Sequence, residues 1–577
     1  MKKTNKLVLS VLACLVLMYS CKDSFLDVPV TGQLDKNILA GRLGLDGALL
    51  AVYSQVNGRS NRMASPSNWV WGSIRGADAN KGTDPGDFST INPVQRYAAL
   101  PTGDVINDKW AGNYEGVARA NSVLRLLKTA DADVTEDFIA SIRAQAKFLR
   151  AHFYFELLRG YKNVPYVDEN IDYGSGIEAV KNDQDIYPMI VKDMKAAVDS
   201  LPETQSQVGR VNKTAAKAYL AKIYMWRSDY ANALPLLNDV ITNGKTSNNK
   251  KLALLAKFPD IFKASNDNNE EVIWAYQSAA NTGSVNNANP EFDLNWPYNT
   301  GADGPGNCCS FFQPTFESAN WYRTSAGLPL LDGSFRTTGQ IVTDMGKESG
   351  DAFTPDSGPL DPRIDHTIGR RGIPYLDWQD FPGKAWIRNQ PNAGPYETKK
   401  FVYYKSDKGS LQDNSSWTPG YTAINFPIIR LADVLLMAAE CEIEIGTPMK
   451  ARDYVNMIRS RAANSFLKRA DGTNAANYVI SLYADTWVKD DEARSKVRFE
   501  RQLELHSEGH RFYDLVRWGI AASELNKFIA YEAPKYGLGA LNGASFDAGV
   551  DELLPIPQSQ LDLLNVTEQV VKQNPGY

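Results

Sequence analysis

The chain is poor in the residue types that build metal and nucleophile sites. Four histidines and five cysteines are spread over 577 residues, and no zinc-ligand spacing joins them. Cys14 and Cys21 lie near the start, Cys308 and Cys309 are adjacent, and Cys441 falls in an apolar helical pattern that reads as a buried thiol. The adjacent pair either closes a vicinal disulfide in an oxidising compartment or remains two thiols in a loop, and spacing leaves both open. No convincing GxSxG, P-loop or dinucleotide fingerprint occurs. Basic blocks are missing too. The formal net charge is −5, and an acidic chain without a basic stripe argues against nucleic acid as a partner. Beyond the first residues, no apolar run approaches the roughly 20 residues of a membrane-spanning helix.

The first residues read MKKTNKLVLSVLACLVLMYSC. Lysines, a short apolar run, the small residue Ser20 and then Cys21 make a secretory signal. The cysteine resembles the lipobox of bacterial lipoproteins, in which that thiol is acylated before cleavage. Acyl chains contribute about 0.8 kcal/mol per buried methylene, and two or more give a stable anchor. An ordinary signal with an incidental cysteine is the alternative; either one places the protein outside the cytoplasm. Residues 1–20 are thus expected to be a lipoprotein signal peptide, 21–38 a lipidated linker and 39–577 the folded body.

Helical periodicity marks four regions: 43–128 (through 43–56 and 107–128), 134–201 (through 134–161 and 184–201), 211–244 and 426–462. The last two share a plan. Each has alanines at helical spacing (Ala215, Ala218, Ala221; Ala432, Ala438, Ala439), a break at Ser228-Asp229 or Gly446-Thr447, and further alanines beyond it. Small residues there let antiparallel helices approach closely, as in a tetratricopeptide-like repeat of ~34 residues. Such pairs cannot bury their apolar faces alone, so they stack. The expected fold class is mostly α: a scaffold of about four helix pairs carrying a loop-rich, irregular ligand-binding lobe. Residues 57–106 and 278–425, rich in Gly, Pro, Asn, Asp and aromatics, supply that lobe; long irregular segments are usually functional.

Several motifs then resemble one family. Phe25-Leu26-Asp27-Val28-Pro29 follows Cys21. Residues 143–167 (RAQAKFLRAHFYFELLRGYKNVPYV), 498–519 (RFERQLELHSEGHRFYDLVRWG) and the closing LLPIPQSQLDLLN and QNPGY follow in order. Together they look like the RagB/SusD family of outer-membrane nutrient-binding lipoproteins. The resemblance implies a non-catalytic lipoprotein facing the cell exterior, anchored through Cys21. It would capture oligo- or polysaccharide for a SusC-like, TonB-dependent outer-membrane transporter. Peptide cargo, or an accessory role beside a surface glycoside hydrolase, is the alternative. No cofactor or metal is expected. The acidic export tag that often follows the lipid cysteine is thin here (Lys22-Asp23-Ser24).

Other chemistry fits less well. His506 and His510 stand four apart, but a zinc protease needs glutamate directly after the first histidine, whereas here it is Glu508. Glu270-Glu271 and Asp490-Asp491-Glu492 read as solvated surface. Asp84-Pro85-Gly86-Asp87 is a weak calcium pattern. Aromatic loops are the stronger signal, because a flat ring meets the apolar C–H face of a sugar. A third of a ring covered gives roughly 1–2 kcal/mol, and three such rings reach millimolar to tens-of-micromolar affinity before binding costs, about 3–6 kcal/mol. Candidates are Trp69 and Trp71, close to Arg75, Asp78 and Asn80, then Trp296 with Tyr298, Trp321 with Tyr322, and Trp378, Trp386 and Arg388. Trp110, Trp226, Trp274 and Trp518 read as scaffold. By position in the resembling family, Trp69, Trp71, Trp296 and Trp321 are favoured, so truncating Trp296 or Trp321 is expected to abolish glycan retention without lowering thermal stability.

Overall fold

The computed structural model describes residues 39–577 apart from 59–61, 175, 290–293, 307, 414 and 416–419. The signal, the lipobox, Cys21 and the 21–38 linker lie outside the described residues. The scaffold consists of α1 (Arg42–Gln55), α2 (Asp104–Leu126), α3 (Glu136–Tyr161), α4 (Tyr187–Ser200), α5 (Lys213–Trp226), α6 (Tyr230–Asn243), α7 (Leu431–Glu444) and α8 (Pro448–Ala463). Side-chain caps set several starts: Asn212 accepts from the Ala215 N–H at 2.9 Å and Asp229 from that of Asn232 at 3.3 Å, each satisfying a donor the first turn leaves open. Pro448 opens α8, where its missing N–H costs nothing.

Each helix packs on the next, and α7 packs on α6 although 187 residues lie between Asn243 and Leu431. The lobe is therefore an excursion from a continuous stack. Ala215, Ala218, Ala221, Ala432, Ala438 and Ala439 are all buried where the helices meet, as their spacing predicts. The mostly helical, tetratricopeptide-like scaffold with its irregular lobe stands as expected.

Four short strands tie lobe to stack: β1 (Ala79–Gly82), β2 (Val272–Tyr276), β3 (Phe311–Pro314) and β4 (Phe426–Arg430). β1 pairs antiparallel with β3, Ala79 opposite Pro314 and Gly82 opposite Phe311, which joins the two loop-rich segments into one lobe. β2 pairs antiparallel with β4, Val272 opposite Arg430 and Tyr276 opposite Phe426. Residues 426–430 are thus a strand and not the beginning of the fourth helix pair. Five fully buried residues, FPIIR, carry no helical face, and β-branched side chains favour the pleat. Beyond α8 lie α9 (Asp491–Glu504), α10 (Arg511–Arg517), α11 (Ala521–Tyr536) and α12 (Gln558–Leu564).

α9 packs on α7 and α8, adding Ala493, Val497 and Leu503 to the apolar core together with a network of buried charges. Arg430 reaches Glu271 at 2.9 Å, Glu504 at 2.7 Å and Glu508 at 2.8 Å; Arg363 reaches Glu500 at 2.7 Å and Glu504 at 3.1 Å; Arg459 holds Glu500 at 2.9 Å. All are buried. Glu271 is therefore not surface, as the acid run implied, but the partner of two buried arginines, Arg430 and Arg461. Buried charges persist only when paired, and charged sequence hides such a core.

Candidate ligand-binding site

The side chains expected to face sugar form the interior of the lobe. Trp69 meets Phe311 and Phe312 edge-on at 6.3 and 5.9 Å. Trp71 donates its indole N–H to the Met63 carbonyl at 2.7 Å. Trp296 joins Tyr375, Phe381, Trp386 and Tyr403 in a small separate core. Trp321 lies under the Arg511 guanidinium, 4.6 Å from its ring centre, and Tyr322 stacks on His506. Asp78 accepts from the Ser73 hydroxyl at 3.0 Å and the Ser507 N–H at 3.1 Å, and burial pushes its carboxyl up to about 7. Trp69, Trp71, Trp296, Trp321, Tyr322 and Asp78 are each at most 3% exposed, so none presents a face to a ligand. Burying a ring of ~150–250 Å² is worth about 4–6 kcal/mol. That outweighs the ~1–3 kcal/mol lost at the indole N–H groups of Trp69, Trp296 and Trp321, which have no acceptor among the described residues. A lobe with little regular structure needs large rings to make a core. Tyr298 is half-buried, with the Arg388 guanidinium 5.6 Å from its ring centre. Trp378 is half-buried and Trp386 buried.

The remaining motifs have structural partners. α9 ends at Glu504 and α10 begins at Arg511, so His506 and His510 do not share a helix face. Ser507 and Gly509 turn the chain between them at φ 62° and 74°. Around Asp84 and Asp87, Arg388 bonds both carboxylates, and the Lys81 ammonium donates to the carbonyls of Asp84 and Asp87 at 2.9 and 2.5 Å. A protein cation occupies that loop. Cys308 and Cys309 are joined as a vicinal disulfide, and Cys441 is buried.

A different group of residues is brought together where the stack meets the lobe. A cavity of about 310 Å³ lies between the end of α1 (Tyr53, Ser54, then Val56 and Asn57), the last residues of β2 (Trp274, Ala275, Tyr276), and Gln277, Ser278 and Ala279 with Asn286, Asn287 and Gly209. Its floor belongs to the scaffold: Trp274 is wedged edge-on against Phe148 and His152 at 4.9 and 5.1 Å. Tyr53 donates to Gln145 at 2.8 Å and accepts from the Val211 N–H at 3.1 Å; burial holds its hydroxyl protonated, well above the ordinary phenol range. Its rim belongs to the lobe. Asn425 accepts from the Ser278 N–H at 2.7 Å and donates to Gln277 at 3.1 Å, while Ala279 N–H reaches the Asn287 carbonyl at 2.7 Å.

The described lining carries no charged side chain. It offers amides, hydroxyls and aromatic surface, the groups that match a neutral polyol. Two of its buried polar atoms, Asn57 Oδ1 and Ser278 Oγ, have no hydrogen-bond partner among the described residues. Such an atom costs about 1–3 kcal/mol unless something fills it. Gly209, at φ 93°, keeps the wall open: a Cβ there would stand 2.4 Å from Gln277 Cγ. Sequence reasoning missed Tyr53, Asn57, Tyr276 and Ser278 because it searched for tryptophan inside the loops. The usable signal was their position, at the two points where helix or strand gives way to lobe.

The SusD family model matches residues 270–577, more than half of the chain. The chain belongs to the SusD family. A second model, described as starch-binding and associating with the outer membrane, matches residues 80–225 of this SusD-family chain. A SusD-like protein of Bacteroides ovatus is 25% identical over 546 residues, 89% of this chain and 82% of its own length. A SusD superfamily protein from Bacteroides vulgatus superposes with a TM-score of 0.67 at 21% identity, covering 93% of this chain and 99% of that one. Surface glycan-binding protein A from Bacteroides thetaiotaomicron, solved in complex with laminarihexaose, superposes with a TM-score of 0.64 at 20% identity, covering 92% and 99%. These structures share the SusD fold.

Proposed function

We propose that this chain is a glycan-capturing lipoprotein of the outer membrane, anchored through Cys21 and facing the cell exterior. It holds oligo- or polysaccharide and passes it to a SusC-like, TonB-dependent transporter. The observation that carries the glycan reading is the uncharged cavity between α1 and β2, lined by Tyr53, Asn57, Tyr276 and Ser278. A sugar satisfies both kinds of surface: hydroxyls pair with the amide and hydroxyl groups, and the C–H face covers a ring. The laminarihexaose complex of a protein with the same fold supports the ligand class. Glycoside hydrolysis requires two carboxyl groups across the scissile bond, and the described lining has none, which supports capture without turnover.

Affinity electrophoresis of the full chain against a polysaccharide panel tests the reading. Retention by at least one neutral glycan, lost in Tyr276→Ala and Asn57→Ala with folding intact, is the expected result. Unchanged migration of both variants in every retained glycan would sink the assignment. Retention of peptides but of no glycan would instead favour the peptide-carrier reading.

A further inference from the structure

A second cavity, of about 710 Å³, lies on the far part of the chain between α9, α10, α11 and the Leu331–Thr337 turn. Its lining includes Arg498, Gln502, Phe499, Arg511, Trp518 and Tyr531. In a chain whose formal charge is −5, it is basic. Arg336 and Lys527 also line it, and both are engaged: Arg336 grips Glu317 through two 2.7 Å hydrogen bonds, and Lys527 holds Glu524 at 2.8 Å. Asp332, the other acid of the lining, accepts from Ser334 in its own turn at 2.6 and 3.0 Å.

Arg498 and Arg511 differ from these. Neither makes a hydrogen bond or ion pair within the chain among the described residues; each only overlies a ring, Arg498 at 4.8 Å from Trp518 and Arg511 at 4.6 Å from Trp321. Arg511 Nε is buried with no hydrogen-bond partner among the described residues. Both are half-buried, whereas the buried Arg363, Arg430 and Arg459 are paired with carboxylates and the buried Arg75 and Arg371 with backbone carbonyls. The Gln502 amide stands one turn along α9 from Arg498, on the same face. Asp78 and Asp514 border the small gap beyond Arg511; burial raises the Asp78 carboxyl while the Arg511 charge draws it down, and Asp514 is held by Arg501 and Arg517. Two planar guanidinium forks not hydrogen-bonded to a carboxylate among the described residues are donors that can bind an oxyanion in bidentate fashion, and Trp518, Phe499 and Tyr531 supply ring surface next to them.

We propose, resting on the receptor reading above, that this cavity is a second saccharide subsite that takes an acidic sugar, its carboxylate or sulfate gripped by Arg498 and Arg511 and its ring laid against the aromatic wall. The first cavity takes neutral units; the second gives the chain a preference for glycans bearing acidic ones.

Ligand-observed NMR titration of the full chain with glucuronate, glucose 6-sulfate, glucose and inorganic sulfate tests this. Glucuronate or glucose 6-sulfate is expected to bind at least tenfold more tightly than glucose, and which of the two is tighter identifies the acidic group. Arg498→Gln is expected to remove at least tenfold of that affinity, Gln502→Leu to weaken it, and Asn57→Ala to leave it unchanged, with circular dichroism verifying each fold. Equal affinity for acidic and neutral sugars, or no loss in Arg498→Gln, overturns the proposal. So does inorganic sulfate binding as tightly as glucose 6-sulfate, since the ring would then add nothing. A chain that retains neutral glycan through Tyr276 but shows no acidic preference refutes this subsite alone. One that binds glucuronate through Arg498 but retains no neutral glycan refutes the neutral pocket alone.

Discussion

The Tyr322 hydroxyl lies 2.9 Å from His506 Nδ1, and the two rings are stacked with centres 5.7 Å apart. On the other side of the imidazole, Nε2 is 3.0 Å from the Asp78 carbonyl. A carbonyl only accepts, so Nε2 carries the proton and Nδ1 accepts from Tyr322. Burial lowers the His506 pKa to about 3, so the ring stays neutral across the physiological range. One histidine from the turn after α9 thus fastens both halves of the lobe, Asp78 from the first and Tyr322 from the second.

Tyr322→Phe leaves His506 Nδ1 buried and unsatisfied. It is expected to destabilise the chain by about 1–3 kcal/mol in urea unfolding while leaving glycan retention intact.

Trp321→Ala and Trp296→Ala create cavities in packed interiors. Each is expected to cost about 3–5 kcal/mol, seen as a lowered thermal midpoint. At temperatures where the variants remain folded, retention on affinity gels should survive. This reverses what the sequence implied, and loss of retention at unchanged midpoint would restore it.

Gly209→Ala pushes against Gln277 in the wall of the first cavity and forces a side chain to φ 93°. Retention is expected to weaken severalfold, read from the shift in migration with polysaccharide concentration.

Asp78 supplies a pH test. Its carboxyl is raised by burial from 3.8 to about 7, so between those values the folded chain holds a proton that the unfolded chain has released. Its contribution to stability is therefore complete below about pH 4 and lost as pH rises towards 7. Asp78→Asn mimics the protonated form and keeps an acceptor for Ser73 and Ser507. The variant is expected to gain on the wild type, on the order of 2–4 kcal/mol, between pH 4 and pH 8. Taking the difference between the two proteins removes the opposing histidine contribution, and a pH-independent difference would count against the assignment.

Glu504→Gln strips a charge shared by Arg363, Arg430 and Arg461. Breaking a buried pair from one side is expected to cost about 3–5 kcal/mol, measured by chemical denaturation. Replacement of the cluster by apolar residues of matching volume should cost less.

What the sequence by itself determined was the periodic part. Helix spacing, alanines at the contacts and capping residues set α1 to α8 nearly to their ends, because those signals act within a few turns of chain. The ordered motifs likewise placed the chain in its family. α9 escaped that reading since much of its inward face is lysine, arginine and glutamate, and those residues look solvent-facing until partners 41 to 141 positions away, such as Arg459, Arg430 and Arg363, are seen beside them. The tertiary structure alone decided where the proposed binding surface lies. A tryptophan in an irregular segment can close a core or meet a sugar with equal local sequence. Trp69, Trp296 and Trp321 went inward because the lobe's regular structure is limited to two-stranded sheets and short helices, which offer little apolar surface in their place. The cavity formed instead where α1 and β2 run out, from residues whose proximity is fixed only when the stack is complete.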